Sequence, residues 1–593
     1  MHTSPLQPQP PSSKSGTLSF CLSLVVLITS LAITSCSSSS NPEGFPTASM
    51  SLPTPTSVPA SATPNPTATL IIPDPPYLTW TGPSLPQHLT DELVKSGYFT
   101  PTSNDINAQI LISQDPGPEV VSWLYVASAP FYSFTEEILS ADLYDCWTTG
   151  GAGSMPFSEV LVSEDTKESF DLLWGPGNEE CVKSVKAEEL SQILWLEKDA
   201  IALLPFDKVE PSYRILAVDR EDPLSKDFNQ EEYPLTLRFN YQVPPQFHIT
   251  LGEMQRLVNF DPSKLTSVAL TGVTALVRDT ASIMEELGVL YPAGDIQDIL
   301  AKADITHINN EVPFAADCPA PKADQVSLLF CSDDHYIQLL EAVGTDIVEL
   351  SGDHFGDWGP EAMLHTIDLY HQQGWKFYGG GKTLGDGLAP VFLSHNGNQF
   401  AFIGCNGKGI DRYATATDEN PGAAQCDFTW MIPEITRLTN EGFIVIATMQ
   451  HEEVDSFGSI ALQSYDFRRL AEAGAVIVSG SQSHHPQAIE YTGSSFIHYG
   501  LGNLFFDQWY LAHYNPKQHI NKDKSFIDLH YFYNGKYIGT RLVPLQFIDN
   551  ARPRPMTDEE AFSFLNEFYK FSLWNGDWIH LYSSGYMSNR IDQ

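Results

Sequence analysis

The stretch "AGAVIVSGSQSHHPQAIE" (473–490) decides how this chain folds. A short valine-rich run is followed by small polar residues and then by His484 and His485. An apolar run of this length, bounded by turn residues, reads as a strand buried on both faces, as in a parallel sheet. Three other segments share its shape. "ADITHI" (303–308) leads to "NNEVP", with Asn309, Asn310 and Glu311. "TDIVEL" (345–350) leads to "SGDHFGDWG", with Asp353, His354 and Asp357. "GFIVIATM" (442–449) leads to "QHEEVD", with Gln450, His451, Glu452 and Glu453. Between them "EAMLHTIDLYHQQG" (361–374) repeats Leu364, Ile367 and Tyr370 at helical spacing. In an open α/β sheet, ligands gather beyond the carboxyl ends of the strands. Four polar loops after four strands therefore predict one shared crevice.

Further along, the pattern turns to hairpins. "HNGN" (395–398) and "YNGK" (533–536) are Asn-Gly turns between strand-like runs, and Thr492-Gly493 makes a third turn within 490–508. Parallel units combined with hairpins fit mixed sheets with helices outside. Upstream, "WLYVASAPF" (123–131), "AIALLPF" (200–206) and "YRILAVD" (213–219) read as strands. "TDELVKSG" (90–97) and "KAEELSQILWLE" (186–197) read as helices with acidic first turns. This is a separate, smaller α/β domain, expected over 76–250, with "PLTLRFNYQVPPQF" (234–247) as its extended exit. The second domain is expected over 264–550. In the tail, 551–593, Thr557 and Glu560 form a capping box before an amphipathic helix.

The N-terminus reads as an export signal. Lys14 precedes the apolar run "LSFCLSLVVLITSLAI" (18–33), which ends at "ITSC" (33–36). That ending resembles a bacterial lipobox, which implies a signal peptide over 1–35 and a lipid on Cys36. The Ser/Thr/Pro-rich stretch 36–75 has too little bulky apolar surface to fold and reads as a tether. The expected location is the outer face of the cell membrane, anchored through that lipid. Six cysteines remain besides Cys21 and Cys36, an even number in an exported chain. Sequential pairing, Cys146–Cys181, Cys318–Cys331 and Cys405–Cys426, closes the shortest loops. The net charge of −41 argues against nucleic acid as a partner.

"HYGLGNLFFDQ" (498–508) closely resembles "YSLGNFVFDQ", a signature of the CapA family of poly-γ-glutamate capsule synthesis proteins. Other matches follow in order. "LTGVTALVR" (270–278) resembles "TGDxMLxR", "NNE" (309–311) resembles "NLE", and "SGDHFGDWG" (351–359) resembles "ANNHxxDxG". "RLAEAGAVIVSGSQSHHPQAIE" (469–490) resembles "LIDAGADxVIGHHPHVxQGxE". The resemblance covers about 265–510. It implies a calcineurin-like metallophosphatase fold, a four-layer α/β/β/α sandwich, and a role in making or exporting an extracellular polymer. The first domain resembles, more loosely, a lobe of type 2 periplasmic solute-binding proteins.

The departures bear on chemistry. The family's early aspartate is Val273, which cannot ligate a cation. Ser481 and Gln482 replace two histidines, leaving His484. Met449 falls at another family histidine and Glu453 at the glutamate, and a one-residue shift would bring in His451. What the resemblance leaves is a set of metal ligands, Glu311, Asp353, His354, Glu453 and His484, for one divalent ion rather than two. His354, Asp357 and His484 are the catalytic candidates. Arg278, Asn310, Gln482 and Asn503 are the substrate-binding candidates. Two functions stay open at this point: a metal-dependent hydrolase serving polymer synthesis, and a non-catalytic binding lipoprotein of the cell envelope.

Overall fold

Residues 71–572, apart from 83–84, 152, 198, 409–413 and 509–520, are described by a computed structural model. The signal segment, Cys36 and nearly all of the tether lie outside the described residues, as do 573–593 of the tail. Among the described residues no helix is long and apolar enough to cross a membrane.

The second domain shows why its strands alternate as they do. In Leu265–Thr271, Val268 and Leu270 point one way and Ala269 the other. In Ile444–Gln450, Ile444 and Ile446 share the core of Val268, whereas Val445, Ala447 and Met449 join a different one. Period-two alternation with both sides apolar means a strand covered on both faces. Three cores result. One lies between two sheets and contains Val268, Ile347, Phe400, Ile446 and Ile477. The second packs the first sheet against the helices Arg278–Leu287, Ile337–Ala342 and Gly359–Gln373. The third packs the other sheet against Phe428–Asn440 and Ala461–Ala473. This is the expected α/β/β/α order of layers.

The first sheet runs Lys376–Tyr378, Ile347–Glu349, Ile305–Asn310, Leu265–Thr271, Lys524–Tyr533, Lys536–Phe547 and Pro553–Pro555. Its first four strands are parallel. The second sheet runs Val391–His395, Asn398–Asn406, Ile444–Gln450, Ile477–Gly480, Ser495–Leu501 and Pro486–Thr492, with its central four parallel. All three predicted hairpins form. Asn396 and Gly397 take φ of 47° and 78°, and Asn534 and Gly535 take 50° and 80°, the left-handed pair that suits a two-residue turn. The capping box also forms, Thr557 N–H donating to Glu560 at 2.8 Å. Its helix, Asp558–Tyr569, buries Phe564, Leu565 and Phe568 in the inter-sheet core, so the tail completes the sandwich.

The first domain is organised about one long strand. The long strand Glu119–Pro130 pairs with Thr236–Gln242 along its first half and with Ala200–Pro205 along its second. Two half-sheets thus share one strand over a common core. Its ends also differ from 76 and 250. Ile71 already bridges to Phe247, and Leu257–Val258 still pairs with Val121 and Ser122. Strand pairing there overrides the composition that marks the tether. The helix expected over 90–97 is Gln87–Lys95, because Pro86 sets its start and Leu89 and Leu93 bury one turn apart. The run 213–219 splits into Tyr213–Ile215 and Ala217–Val218, which pair with different strands. In the segment 186–197, a 3₁₀ turn at Ala187–Glu189 precedes the helix Leu190–Leu196. Arg541 of the second domain clasps Asp222 of the first in a bidentate pair, one arm at 2.8 Å. All three disulfides join the cysteines paired in sequence order.

Candidate functional site

The carboxyl ends of both sets of parallel strands meet at one edge of the sandwich. Side chains stitch them together there. Asn309 Nδ2 donates to Ser481 Oγ at 3.3 Å, and Asn406 Nδ2 donates to the Ser351 carbonyl at 2.9 Å. Deeper between the sheets, Tyr378 Oη lies 2.8 Å from His307 Nε2 and 2.9 Å from Thr448 Oγ1. Burial holds the His307 imidazole down to about 3, so it adds no positive charge to this floor.

On that floor stand Glu311, Asp353 and His354. One ligand atom from each lies within 4.8 Å of the others. Gly352 makes the approach feasible, since a Cβ at that position would sit 2.6 Å from the Glu311 carbonyl. Glu311 is 1% exposed, and neither carboxyl oxygen receives a hydrogen bond from an N–H or hydroxyl among the described residues. Its neighbour is the Asp353 carboxyl. Two carboxyls this close cannot both ionise at low cost. Burial, with the charge of Asp353 beside it, pushes Glu311 well above the carboxylate range. Burial acts on Asp353 in the same direction, yet Glu311, His354 and Lys408 outweigh it and hold Asp353 low.

His354 is oriented by a tight turn. Asp357 N–H donates to the His354 carbonyl at 3.1 Å, and the Asp357 carboxylate accepts from His354 Nδ1 at 2.7 Å. The same carboxylate oxygen accepts the Phe330 N–H at 2.9 Å, and the Phe330 ring lies edge-on 4.9 Å from the imidazole. Burial alone would lower His354. Its bond to Asp357 and the carboxyls of Glu311 and Asp353 outweigh that, and hold it up to about 9. A carboxyl that keeps its proton beside an imidazole that gains one marks a pocket with surplus negative charge.

The loops of the second sheet close the crevice. His484 Nε2 lies 3.9 Å from Glu311 and 3.8 Å from Glu453. Asn503 fixes that ring by accepting from Nδ1 at 2.9 Å. His484 takes φ of 49°, a left-handed conformation that costs a non-glycine residue about 1 kcal/mol or more and persists where the surroundings dictate it. Burial keeps it neutral. Gln482 Nε2 donates to Asp353 at 3.3 Å. Seven of the candidates are thus gathered at this edge: Glu311, Asp353, His354, Asp357, Glu453, Gln482 and His484, with Asn503 as support for His484.

Others point elsewhere. Asn310 turns its amide to Tyr370 Oη at 2.6 Å and the Val312 carbonyl, on the helix side of its strand. Arg278 stacks its guanidinium over Phe330 at 4.6 Å, one ring removed from His354, and lines a cavity with Tyr336 and Trp358 beside the Cys318–Cys331 bridge. His451 turns to Asp466 at 3.0 Å on the neighbouring helix. His485 bonds the Pro486 carbonyl and packs on Phe457. Met449 faces the outer helices. Val273 lies in an apolar cluster with Ala275, Val277, Val312, Phe330 and Phe506.

The sequence reading passed over Lys408. Its ammonium lies 2.7 Å from Asp353 and 3.3 Å from Glu453. It follows the strand Asn398–Asn406, so "QFAFIGC" leading to "NGKG" is a fifth copy of the strand-then-polar-loop shape.

The residues fit one divalent cation. Glu311, Asp353 and His354 supply hard oxygen and imidazole donors, and neither Glu311 oxygen is committed to an N–H or hydroxyl among the described residues. They do not fit a second ion of the kind that needs a ligand at 273.

Residues 267–508 match the family described as "Bacterial capsule synthesis protein PGA_cap". The capsule biosynthesis protein CapA of Bacillus anthracis is 24% identical over 301 residues, half of this chain and 70% of that protein. The PGA biosynthesis protein CapA of Bacillus subtilis (strain 168) is 22% identical over 273 residues, 45% of this chain and 68% of that one. Among solved structures, a putative 5′-nucleotidase from Staphylococcus aureus aligns over 51% of this chain and 58% of its own, at 9% identity and a TM-score of 0.31.

Proposed function

We propose that this protein, whose residues 267–508 match the PGA_cap capsule-synthesis family, serves the synthesis or export of an extracellular polymer of the poly-γ-glutamate kind. The observation that carries the reading is the meeting of Glu311, Asp353, His354 and His484 at one crevice within the matched segment. Glu311, Asp353 and His354 would hold one divalent ion. When bound, that ion supplies Lewis-acid polarisation of a substrate oxygen. Asp357 orients His354, Asn503 orients His484, and Gln482 steadies Asp353. Glu453 forms the open rim, and the polymer or its biosynthetic machinery is the partner it faces.

The same proposal places the protein on the outer face of the membrane, tethered through Cys36. Three disulfides support an oxidising compartment. A second reading, a binding protein without turnover, draws support from the apolar cluster around Val273, since a two-ion hydrolytic centre has no place there.

The test is made in the cells that produce the protein. Deleting it abolishes surface polymer, and the wild-type chain restores it. Glu311→Gln and His354→Ala chains, exported at wild-type level, do not. Full restoration by both variants would end the proposal for this site. Purified chain assayed against phosphoesters and γ-glutamyl peptides separates the two readings: metal-dependent turnover selects the hydrolase, and saturable binding without turnover selects the binding protein.

A further inference from the structure

We infer that the ammonium of Lys408 stands where a second cation would otherwise be held, so that the crevice takes one divalent ion and carries its other positive charge covalently. The inference rests on the one-ion reading above and extends it. Lys408 lies between carboxylates from loops of different sheets, Asp353 at 2.7 Å and Glu453 at 3.3 Å. Each is also turned toward a further crevice group, Asp353 to Gln482 and Glu453 to His484. Asp353 and Glu453 therefore hold the ammonium between them, with the His484 imidazole 3.8 Å from Glu453.

The position is built into the backbone. Lys408 N–H donates to Asn406 Oδ1 at 3.0 Å, and Asn406 in turn holds the Ser351 carbonyl at 2.9 Å. Gly407 N–H bonds the Gln450 carbonyl, and a Cβ on Gly407 would meet that same oxygen at 2.9 Å. The Cys405–Cys426 disulfide anchors the strand end immediately before. An exposed, untethered lysine would be a weak surface pair. This one is only 31% exposed, and Gly407 before it is bonded to the Gln450 carbonyl.

Charge arithmetic favours the same conclusion. Glu311, Asp353, Asp357 and Glu453 can carry four negative charges, of which one divalent ion and one lysine offset three. A second divalent ion held by Asp353 and Glu453 would sit against the ammonium at close range. The other nearby lysine, Lys522, is committed elsewhere, to Asp455 at 2.8 Å and the Ser483 carbonyl at 3.1 Å.

The experiment measures metal stoichiometry on the full chain in detergent. Protein stripped with EDTA is titrated with Mn²⁺ by calorimetry, and bound metal is counted by mass spectrometry after gel filtration. The variants are Lys408→Met, Lys408→Gln as a second neutral replacement, and Lys408→Arg, which keeps the charge. Expected are one equivalent for wild type and Lys408→Arg, and two for both neutral variants. Two equivalents in wild type, or one in wild type and both neutral variants, overturns the inference and leaves the one-ion site standing in the second case. No metal in wild type but one equivalent in the neutral variants refutes the one-ion site while supporting the role of Lys408. No metal in any of the chains overturns both.

Discussion

Two flanks of one crevice, separated by a single peptide bond between Glu311 and Val312, have gone opposite ways. One flank keeps Glu311, Asp353 and His354 within ligand distance of one another. The other packs Val273, Ala275, Val277, Val312, Phe330 and Phe506 into an alkyl and aromatic cluster. The strands beneath both flanks are continuous neighbours, Val273 being in register with Asn309. The difference teaches that the sandwich does not depend on its metal ligands. Backbone pairing sets the frame, and each flank can be polar or apolar as long as its buried groups are satisfied.

Restoring the missing carboxylate tests that contrast most severely. In Val273→Asp an unpaired charge is buried among hydrocarbon, at a cost of roughly 3–5 kcal/mol. Thermal melting in EDTA should fall by about 10 °C, at ~2–4 °C per kcal/mol for a domain of this size. An unchanged melting temperature would mean that the cluster is open to water, and the contrast would fail. The polar flank is tested next by His354→Ala. Losing a ligand should weaken Mn²⁺ binding by more than about 100-fold, beyond what outer-shell changes produce. Asp357→Asn removes only the group that orients His354, and calorimetry should find a loss of roughly 10–100-fold. Equal losses in the two variants would mean that His354 acts only through Asp357.

A graded effect is that of pH. In the metal-free chain His354 is held up to about 9 and Glu311 well above its usual range. An incoming cation displaces those protons, so affinity should rise with pH, by up to about tenfold per unit for each proton released. The rise should flatten once pH passes the His354 value. Affinity that does not vary between pH 6 and 8 would show that the imidazole is not a ligand.

The strands were legible because each carries its own periodicity, and the turns because Asn-Gly pairs demand a left-handed backbone. The four polar loops were legible for the same local reason, and they do share one edge. Asn310 shows where this reading stops. It lies beside Glu311 in sequence, yet the pleat sends its side chain to the helix face and Tyr370. His451 stops short likewise, because Asp466, fifteen residues on, offers it a nearer partner.

The sequence by itself determined the strands, the hairpins, the helix cap and the pairing of the cysteines, because these follow from short-range pattern and loop closure, whereas the order of the layers came from the family resemblance. Tertiary structure alone decided which charges face one another. Asp353 and Lys408 are carried by strands of different sheets, and no spacing along the chain encodes their 2.7 Å meeting. Only the packing of two twisted sheets over a common core brings those loop ends to one place, and with them the charge balance of the crevice.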